Sequence, residues 1–178
     1  DEERDENDTP LEPKEGTALR GVGGVVQFLA NDRLDVKFAA KELMRDAGKP
    51  RRSSWTKAKR IGRYLRRARR YIVDYRWQKP TKKLSMGVDA SHAACKRTRK
   101  STSGAIGKIG HHLVHGSSST QTTVRLSSGE AEYAALVKGA AEAIFIRNLL
   151  RFMWEEVEIE LESDSTAAIG AVKRIGPG

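Results

Sequence analysis

The spacing of hydrophobic residues differs between the two halves of this chain. In the first half they recur every three or four positions, most clearly over residues 55–72, and this spacing predicts an amphipathic helix. Ser53 or Ser54 can act as its N-cap. Shorter stretches of the same kind predict helices over 21–30 and 35–46. The first half is therefore expected to be helical.

From Leu84 onward, hydrophobic residues instead alternate with polar ones, as in half-buried strands. The pattern predicts strands over 84–89, 105–114, 122–126 and 157–161, a long helix over 128–151, and a last helix capped by Asp164 or Ser165. The order strand, strand, strand, helix, strand, helix predicts an α/β fold. Its mixed sheet has three antiparallel strands, followed by a helix that crosses to a fourth strand.

Charge is distributed unevenly along the chain. Eight acidic residues against two basic ones in 1–16, together with two prolines, predict a disordered acidic lead-in. Residues 33–83 hold 19 lysines and arginines against four acids, which favours a polyanionic partner. A solvated helix face is the alternative explanation of such a charge run. The candidate nucleic-acid contacts on the faces of the third helix are Lys57, Arg60, Arg63, Arg66, Arg67 and Arg70.

Composition excludes several classes of protein. The single cysteine, Cys95, cannot form an internal disulfide. No apolar run approaches the ~18 residues that a membrane span needs. The acidic N-terminus does not have the pattern of a signal peptide. We therefore expect an intracellular protein without membrane contact, in either the cytoplasm or the nucleus.

Three acids fall on elements that a sheet can bring together. Asp89 ends the first predicted strand, Glu132 lies early in the long helix, and Asp164 follows the fourth strand. Converging carboxylates are what a two-metal hydrolase needs, because Mg²⁺ prefers oxygen ligands. Each residue also has an ordinary explanation: a turn aspartate, a surface helix glutamate and a helix N-cap.

Four segments carry a resemblance to a known family. Asp89-Ala90-Ser91 comes first, followed in order by the TRKSTSG segment at 98–104, the LSSGEAEY segment at 126–133 and Ser163-Asp164-Ser165. Together they resemble the ribonuclease H region of copia-type retrotransposon Pol polyproteins. Residues 31–39 and 55–65 resemble the segment of the same polyproteins that links reverse transcriptase to ribonuclease H. No YxDD-type polymerase motif occurs in the chain.

The resemblance implies a domain plan and an activity. Residues 17–83 would be a basic helical connection and 84–178 a ribonuclease H-like domain. Asp89, Glu132 and Asp164 would bind two Mg²⁺ ions, or Mn²⁺, and would hydrolyse the RNA strand of RNA–DNA hybrids. The implied partners are the hybrid and the remaining Pol polyprotein, including its reverse transcriptase. Arg99 and Lys100, in the TRKSTSG segment, are further expected nucleic-acid contacts.

The chain departs from the family pattern at two places. Ser91-His92 stands where the family often has an acidic and an aromatic residue. The chain also stops at Gly178, before the family's fifth strand, its last helix and a fourth acid. We therefore expect a C-terminally incomplete domain with a three-carboxylate site.

Several alternatives remain at the level of sequence. Glu130 competes with Glu132; we favour Glu132 because it adjoins the predicted core stripe and because the resemblance places the family's glutamate there. A non-catalytic nucleic-acid-binding remnant is the rival function. An integrase-type nuclease would carry its acids in the order Asp, Asp, Glu, which this chain lacks. The histidines at 111, 112 and 115 have few further zinc ligands nearby in the sequence, so we interpret them as loop or strand-edge residues.

Overall fold

A computed structural model of the chain describes residues 8–95 and 97–174. The chain divides into two compact units, Asp1–Ile72 and Val73–Gly178, and each unit has its own hydrophobic core. Every helix among the described residues is too short or too polar to span a membrane.

The first unit is helical. It contains α1 (Pro13–Leu29), α2 (Lys37–Arg45) and α3 (Arg52–Arg67), with a short 3₁₀ helix, Leu34–Val36, before α2. Small and medium-sized apolar side chains from these helices form one core: Leu19, Val26, Ala30, Val36, Ala40, Leu43, Ala58 and Ile61. The predicted helices are present, although their bounds differ from the predictions at several ends.

The acidic N-terminal segment differs from the prediction. Residues 1–7 of the predicted lead-in lie outside the described residues. From Asp8 onward the segment is ordered by contacts with residues 50–53, and α1 begins at Pro13. The Leu11 N–H donates to the carbonyl oxygen of Pro50 (3.0 Å), and Asp8 accepts hydrogen bonds from Ser53. These backbone and carboxylate contacts, which composition does not reveal, order 8–16 despite its charge.

The third helix is shorter than predicted. It ends at Arg67, and Ala68 has a non-helical ψ of 70°. The Ala68 carbonyl oxygen instead accepts a hydrogen bond from the guanidinium of Arg33 (3.0 Å), which also binds Asp35 through two bonds of 2.9 and 2.8 Å. No helix or strand is assigned over 68–82. At the N-terminal end of α3, Ser54 Oγ accepts a hydrogen bond from the Arg51 N–H, so Ser54 is not the N-cap of the helix.

The second unit is a four-stranded mixed sheet with helices, and it confirms the predicted fold class. Its elements are β1 (Lys83–Ser91), β2 (Lys100–Ile109), β3 (His112–Val124), α4 (Ser128–Phe152), β4 (Glu158–Glu162) and α5 (Thr166–Lys173). The strand order is β3-β2-β1-β4. Neighbours among β1, β2 and β3 are antiparallel, whereas β4 runs parallel to β1. Ser165 caps α5, as one of the two predicted capping residues.

The hairpin between β2 and β3 corrects the predicted strand bounds. The predicted strand over 105–114 crosses a turn at Gly110-His111, and Gly110 has a φ of +59°. The true third strand starts at His112 and includes the serine-rich stretch 116–120. Serine is a poor indicator of strands in a sequence, and pairing with β2 supplies the backbone hydrogen bonds that hold this stretch.

The second unit begins before the predicted boundary at residue 84. The irregular segment 73–82 is fixed to the β2–β3 hairpin by side-chain bonds. Tyr75 Oη donates to the carbonyl oxygen of Leu113 (2.7 Å). Gln78 Nε2 donates to the carbonyl oxygen of Ile109 (2.8 Å), and Gln78 Oε1 accepts from the His111 N–H (2.8 Å). These contacts explain why the compact unit starts at Val73.

Helix α4 packs very closely on β1. Its buried face consists of alanines, Leu136, Gly139 and Ile146, and it covers Leu84, Met86 and Val88 of the strand. A Cβ atom added at Gly139 would lie 2.3 Å from Val88 Cγ1. The helix therefore approaches the strand at a position that only glycine permits.

We predict that Gly139→Ala lowers the free energy of unfolding by about 1–3 kcal/mol, the usual cost of overpacking, because the β-branched Val88 cannot rotate away easily. Thermal and urea unfolding measure this change. Gly170→Ala is the matched control, since a Cβ at this helical glycine meets nothing within 4 Å, and it should stabilise the protein by up to about 1 kcal/mol. Val88→Ala should recover part of the loss in the Gly139→Ala background; equal stability of the two single glycine variants would contradict the packing argument.

Candidate metal centre

Parallel pairing of β1 and β4 brings two aspartates together. Gly87 lies opposite Glu162 in this pair. Two residues further along each strand direction lies an aspartate: Asp89 within β1, and Asp164 two positions after the last residue of β4. Because the carboxyl ends of parallel neighbours lie at the same edge of a sheet, the two carboxylates converge there.

Helix α4 supplies the third carboxylate. Ser127 is its N-cap, and the serine Oγ accepts a hydrogen bond from the Glu130 N–H (3.1 Å). Ala131 and Ala135 are buried, so the first turns of the helix lie against the sheet. Glu132 reaches the aspartates from there: Asp89, Glu132 and Asp164 each offer one carboxylate oxygen, and these oxygens lie within 4.8 Å of one another.

The Glu132 side chain is poorly compensated as an anion. Its Oε2 is buried and has no hydrogen-bond partner among the described residues. Burial raises the pKa of Glu132, the Ala90 backbone N–H counteracts this, and the charges of Asp89 and Asp164 raise it further. A cluster of oxygen donors with an unpaired buried oxygen suits a hard divalent cation such as Mg²⁺ or Mn²⁺. The residues present therefore fit a divalent metal ion.

The aspartates border an open groove on the sheet. The groove runs from Asp89 and Asp164 along β1 and β2, and its lining includes Gly87, Gly104 and Lys108. The glycines keep its floor low, and Lys108 adds a positive charge. Glu162 also lines the groove, so with the two aspartates the lining carries three acids against one lysine, and a negatively charged ligand would need a bound cation to approach the carboxylates.

Glu130, the alternative candidate to Glu132 as a metal ligand, instead makes hydrogen bonds at the start of α4. It accepts hydrogen bonds from the Leu126 N–H (2.9 Å) and from Arg125 (3.1 Å). These two bonds hold the pKa of Glu130 below its ordinary value. Together with Ser127, this glutamate satisfies donors at the start of α4. Glu132 is the glutamate that lies beside Asp89 and Asp164, and its role as a metal ligand stays a prediction.

The predicted nucleic-acid contacts are placed in several ways. On α3, Arg60, Arg63, Arg66 and Arg67 are exposed. Lys57 is paired with Asp46 (Nζ–Oδ2 3.0 Å), and Arg70 is exposed beyond the end of the helix rather than on it.

Arg99 and Lys100 belong to the second unit. Arg99 is exposed in the turn before β2 with a φ of 56°, and Lys100 is the half-buried first residue of that strand. Pairing of Ser91 with Thr102 puts them at the same end of the sheet as Asp89.

The histidines of the β2–β3 hairpin do not form a metal site with one another among the described residues. His112 contacts the backbone carbonyl of Arg76 (2.7 Å), and His115 pairs with Glu142 of α4 (3.1 Å). Burial raises the pKa of Glu142, but hydrogen bonds from Ser117 and His115 outweigh it and hold the pKa below its ordinary value. This polar cluster ties β3 to α4.

Sequence analysis missed one buried polar residue beside the acidic cluster. Gln121 on β3 is only 8% exposed, and it hydrogen-bonds to both Ser103 and Ala131. A lone glutamine in a serine- and threonine-rich strand gives no signal in the pattern of hydrophobic positions.

We predict that Glu132→Gln raises the stability of the metal-free protein at neutral pH. Because the pKa of Glu132 is raised on folding, the folded state holds its proton more tightly. The folded protein therefore incurs no penalty for Glu132 below the ordinary carboxyl pKa, where the side chain is neutral in both states. The free energy of unfolding then falls as pH rises through the folded-state pKa, because the buried carboxylate must ionise. We expect a melting temperature about 2–4 °C above wild type near pH 7, the shift that about 1 kcal/mol gives a chain of this size. The difference should vanish in acid, as measured by thermal unfolding with a chelator present.

Glu130→Gln is the matched control for this experiment. Its carboxylate is stabilised in the folded state, so its contribution is present at neutral pH and is lost as pH falls through the lowered pKa. Removing that charge should lower the melting temperature near pH 7. A shift in the same direction for both variants would contradict the assigned environments.

Comparisons with known proteins identify several relatives by sequence. No protein-family model matches the chain. Secreted RxLR effector protein 161 of Plasmopara viticola is 34% identical over 128 residues, which are 72% of this chain and 89% of that protein. The retrovirus-related Pol polyproteins from transposons RE2 and RE1 of Arabidopsis thaliana are 33% and 34% identical over 134 residues. The matched segment is 75% of this chain but only 9% of each polyprotein.

Among solved structures, that of LC11-RNase H1, isolated from compost, is similar with a TM-score of 0.40 and 18% identity. The match covers 55% of this chain and 66% of that one. A likeness this distant carries no weight for function, whereas the sequence relatives do. The chain belongs to the same family as secreted RxLR effector protein 161 of Plasmopara viticola, and short segments of the RE1 and RE2 Pol polyproteins are homologous to it.

Proposed function

We propose that the second unit is a ribonuclease H-type nuclease of a copia-type retrotransposon, which hydrolyses the RNA strand of RNA–DNA hybrids with Mg²⁺. The observation that carries this proposal is the meeting of Asp89, Glu132 and Asp164, in a chain whose relatives include Pol polyproteins. The motif order over residues 89–165 supports the copia-type assignment.

In this proposal the three carboxylates hold the metal. Asp89 and Asp164 face the groove from the sheet edge, while Glu132 contributes the buried oxygen that has no hydrogen-bond partner among the described residues. Divalent ions, when bound, supply the positive charge that activates water and stabilises the scissile phosphate and the leaving oxygen. The two aspartates would hold the ions at the end of the groove, and the ions would attract the phosphate there.

The basic residues supply substrate affinity rather than chemistry. Contacts of arginine and lysine with phosphates position a nucleic acid without reading its sequence. Discrimination of RNA from DNA requires contacts with the 2′-hydroxyl and with duplex shape. The exposed arginines of α3, together with Arg99 and Lys100, are the proposed contacts with the hybrid. The remaining Pol polyprotein, with its reverse transcriptase, is the proposed functional partner.

A second candidate function is a non-catalytic nucleic-acid-binding protein. It is favoured by the exposed arginines of α3 and by the similarity to the effector over 89% of that protein's length. That similarity shows that sequences of this kind also occur outside polyproteins. The nuclease needs the three carboxylates for cleavage, whereas a binding protein would need them for folding at most.

We predict that Asp89→Asn abolishes Mg²⁺-dependent cleavage of a labelled RNA–DNA hybrid, with a loss of at least about 100-fold, but leaves hybrid binding within about twofold. Removal of one anionic ligand weakens the metal site without touching the exposed arginines. Asp74→Asn is the matched control, because Asp74 pairs with Arg76 at the surface, and it should cleave as wild type does. Equal cleavage by the Asp89 variant and wild type would refute the nuclease; binding without any cleavage by wild type would support the second candidate.

We further predict that Arg63→Ala with Arg66→Ala weakens binding to hybrids of any sequence. It should also reduce the slope of log affinity against log salt concentration by about 2, one for each phosphate contact. Fluorescence anisotropy at several salt concentrations measures both quantities. Lys57→Gln is the control, since Lys57 is already paired with Asp46 and should change the slope little. An unchanged slope in the double variant would assign these arginines to a solvated face.

A further inference from the structure

A buried amide joins three elements beside the acidic cluster. Gln121 lies on β3, and its Nε2 donates hydrogen bonds to Ser103 Oγ on β2 and to the carbonyl oxygen of Ala131 on α4, both at 2.9 Å. Its Oε1 accepts from Arg125 Nε at 3.2 Å. Ser103 and Ala131 are almost fully buried, so water does not compete for these bonds.

The orientation of this amide is fixed by its partners. A backbone carbonyl can only accept a hydrogen bond, so the NH₂ group of Gln121 must face Ala131. An arginine Nε can only donate, so the amide oxygen must face Arg125. Flipping the amide would break both bonds. The side chain therefore acts as a bridge of one defined length between the sheet and the helix.

Both ends of the bridge adjoin the acidic cluster. Ala131 immediately precedes Glu132 in α4. Ser103 immediately precedes Gly104, which is the cross-strand partner of Asp89. The Gln121 Nε2 thus joins the carbonyl oxygen next to Glu132 to the side chain of the residue that precedes the cross-strand partner of Asp89, and it fixes the distance between these two acceptors.

A second set of contacts extends from the same side chain. Arg125, which donates to Gln121, also donates to Glu130 (3.1 Å). Glu130 accepts from the Leu126 N–H and so completes the cap of α4. The start of the helix is held at Ala131 by Gln121 and at Glu130 by Arg125. The Glu132 carboxylate accepts a hydrogen bond from the Ala90 N–H on β1, while its Oε2 has no hydrogen-bond partner among the described residues. The place of the carboxylate therefore depends on that one bond and on how firmly this turn is held.

We propose that Gln121 is a positioning residue for the metal-binding Glu132. It holds the first turns of α4 at the separation from Asp89 and Asp164 that one divalent-metal site requires. This inference rests on the proposed function of the acidic cluster. It adds a residue on β3 that bears no charge, contacts none of the three carboxylates, and still governs the affinity of the site for metal.

The competing explanation is that Gln121 only stabilises the packing of β3 against α4. Both explanations predict a loss of stability when the amide is removed, because the Ala131 carbonyl would remain buried with its bond from the sheet broken. Only a positioning role predicts a loss of metal affinity beyond that expected from stability. Gln78 provides the comparison, since its amide also bridges two segments, at the opposite end of the sheet.

The test compares Gln121→Met with Gln78→Met in the full chain. Methionine keeps the length of the side chain but cannot make these hydrogen bonds. Affinity for Mn²⁺ is measured by calorimetry at a temperature where both variants are folded. We expect Gln121→Met to weaken Mn²⁺ binding about tenfold, as is typical when a residue that supports a metal ligand is removed, and Gln78→Met to stay within about twofold of wild type. Equal Mn²⁺ affinity of the two variants would overturn the proposal.

A double-mutant cycle separates action through Glu132 from a general effect. If Gln121 acts by placing Glu132, then Gln121→Met should have little further effect on Mn²⁺ affinity when Glu132 is already Gln. The same tenfold loss in that background would overturn the proposal.

Hydrogen exchange distinguishes failure of this proposal from failure of the proposed function. Absence of Mn²⁺ binding and of hybrid cleavage in wild type would reject the metal-dependent function. Exchange of the backbone amides over 126–136 still tests the role of Gln121 without metal. It should be faster in Gln121→Met than in wild type and unchanged in Gln78→Met. Unchanged exchange in Gln121→Met would show that the amide does not hold this turn.

Discussion

The close packing of α4 on β1 is the constraint on which the second unit depends. The helix can approach the strand because its inner face carries alanines and Gly139, where a Cβ atom would meet Val88 at 2.3 Å. A helix held further away would keep its secondary structure, but its first turns would no longer reach the end of β1. The convergence of three acids on one point is therefore a result of packing in the middle of the helix, about two turns away from Glu132.

Bringing three carboxylates together is unfavourable in the absence of a cation. The like charges repel, and burial of Glu132 adds a desolvation cost that the Ala90 N–H offsets only in part. The rest of the unit must supply the compensating stability, from the core around Met86 and from the polar cluster centred on Glu142. Such an arrangement is typical of sites where function has been retained at the expense of local stability.

Much of this organisation follows from patterns in the sequence. Alternation identified β1 and β4, and helical spacing identified α4, because each of these elements has one face on a core. The preference for Glu132 over Glu130 depended on its neighbours in the core stripe and on the family motif.

Other features depend on contacts that the sequence pattern does not contain. The end of α3 is set by the bond from Arg33 to the Ala68 carbonyl, and the β2–β3 turn by the positive φ of Gly110. Gln121 and the serines of β3 carry no periodic signal at all.

The five-residue strand β4 shows a last consequence of alternation. Its glutamates at 158, 160 and 162 are exposed, and its intervening Ile159 packs on the core. A slip of one residue against β1 would turn charged side chains inward and would also shift Asp164 away from Asp89. A shifted register between β4 and β1 is disfavoured because it would bury glutamate side chains. The exposed glutamates of β4 therefore also favour the register that places Asp164 beside Asp89.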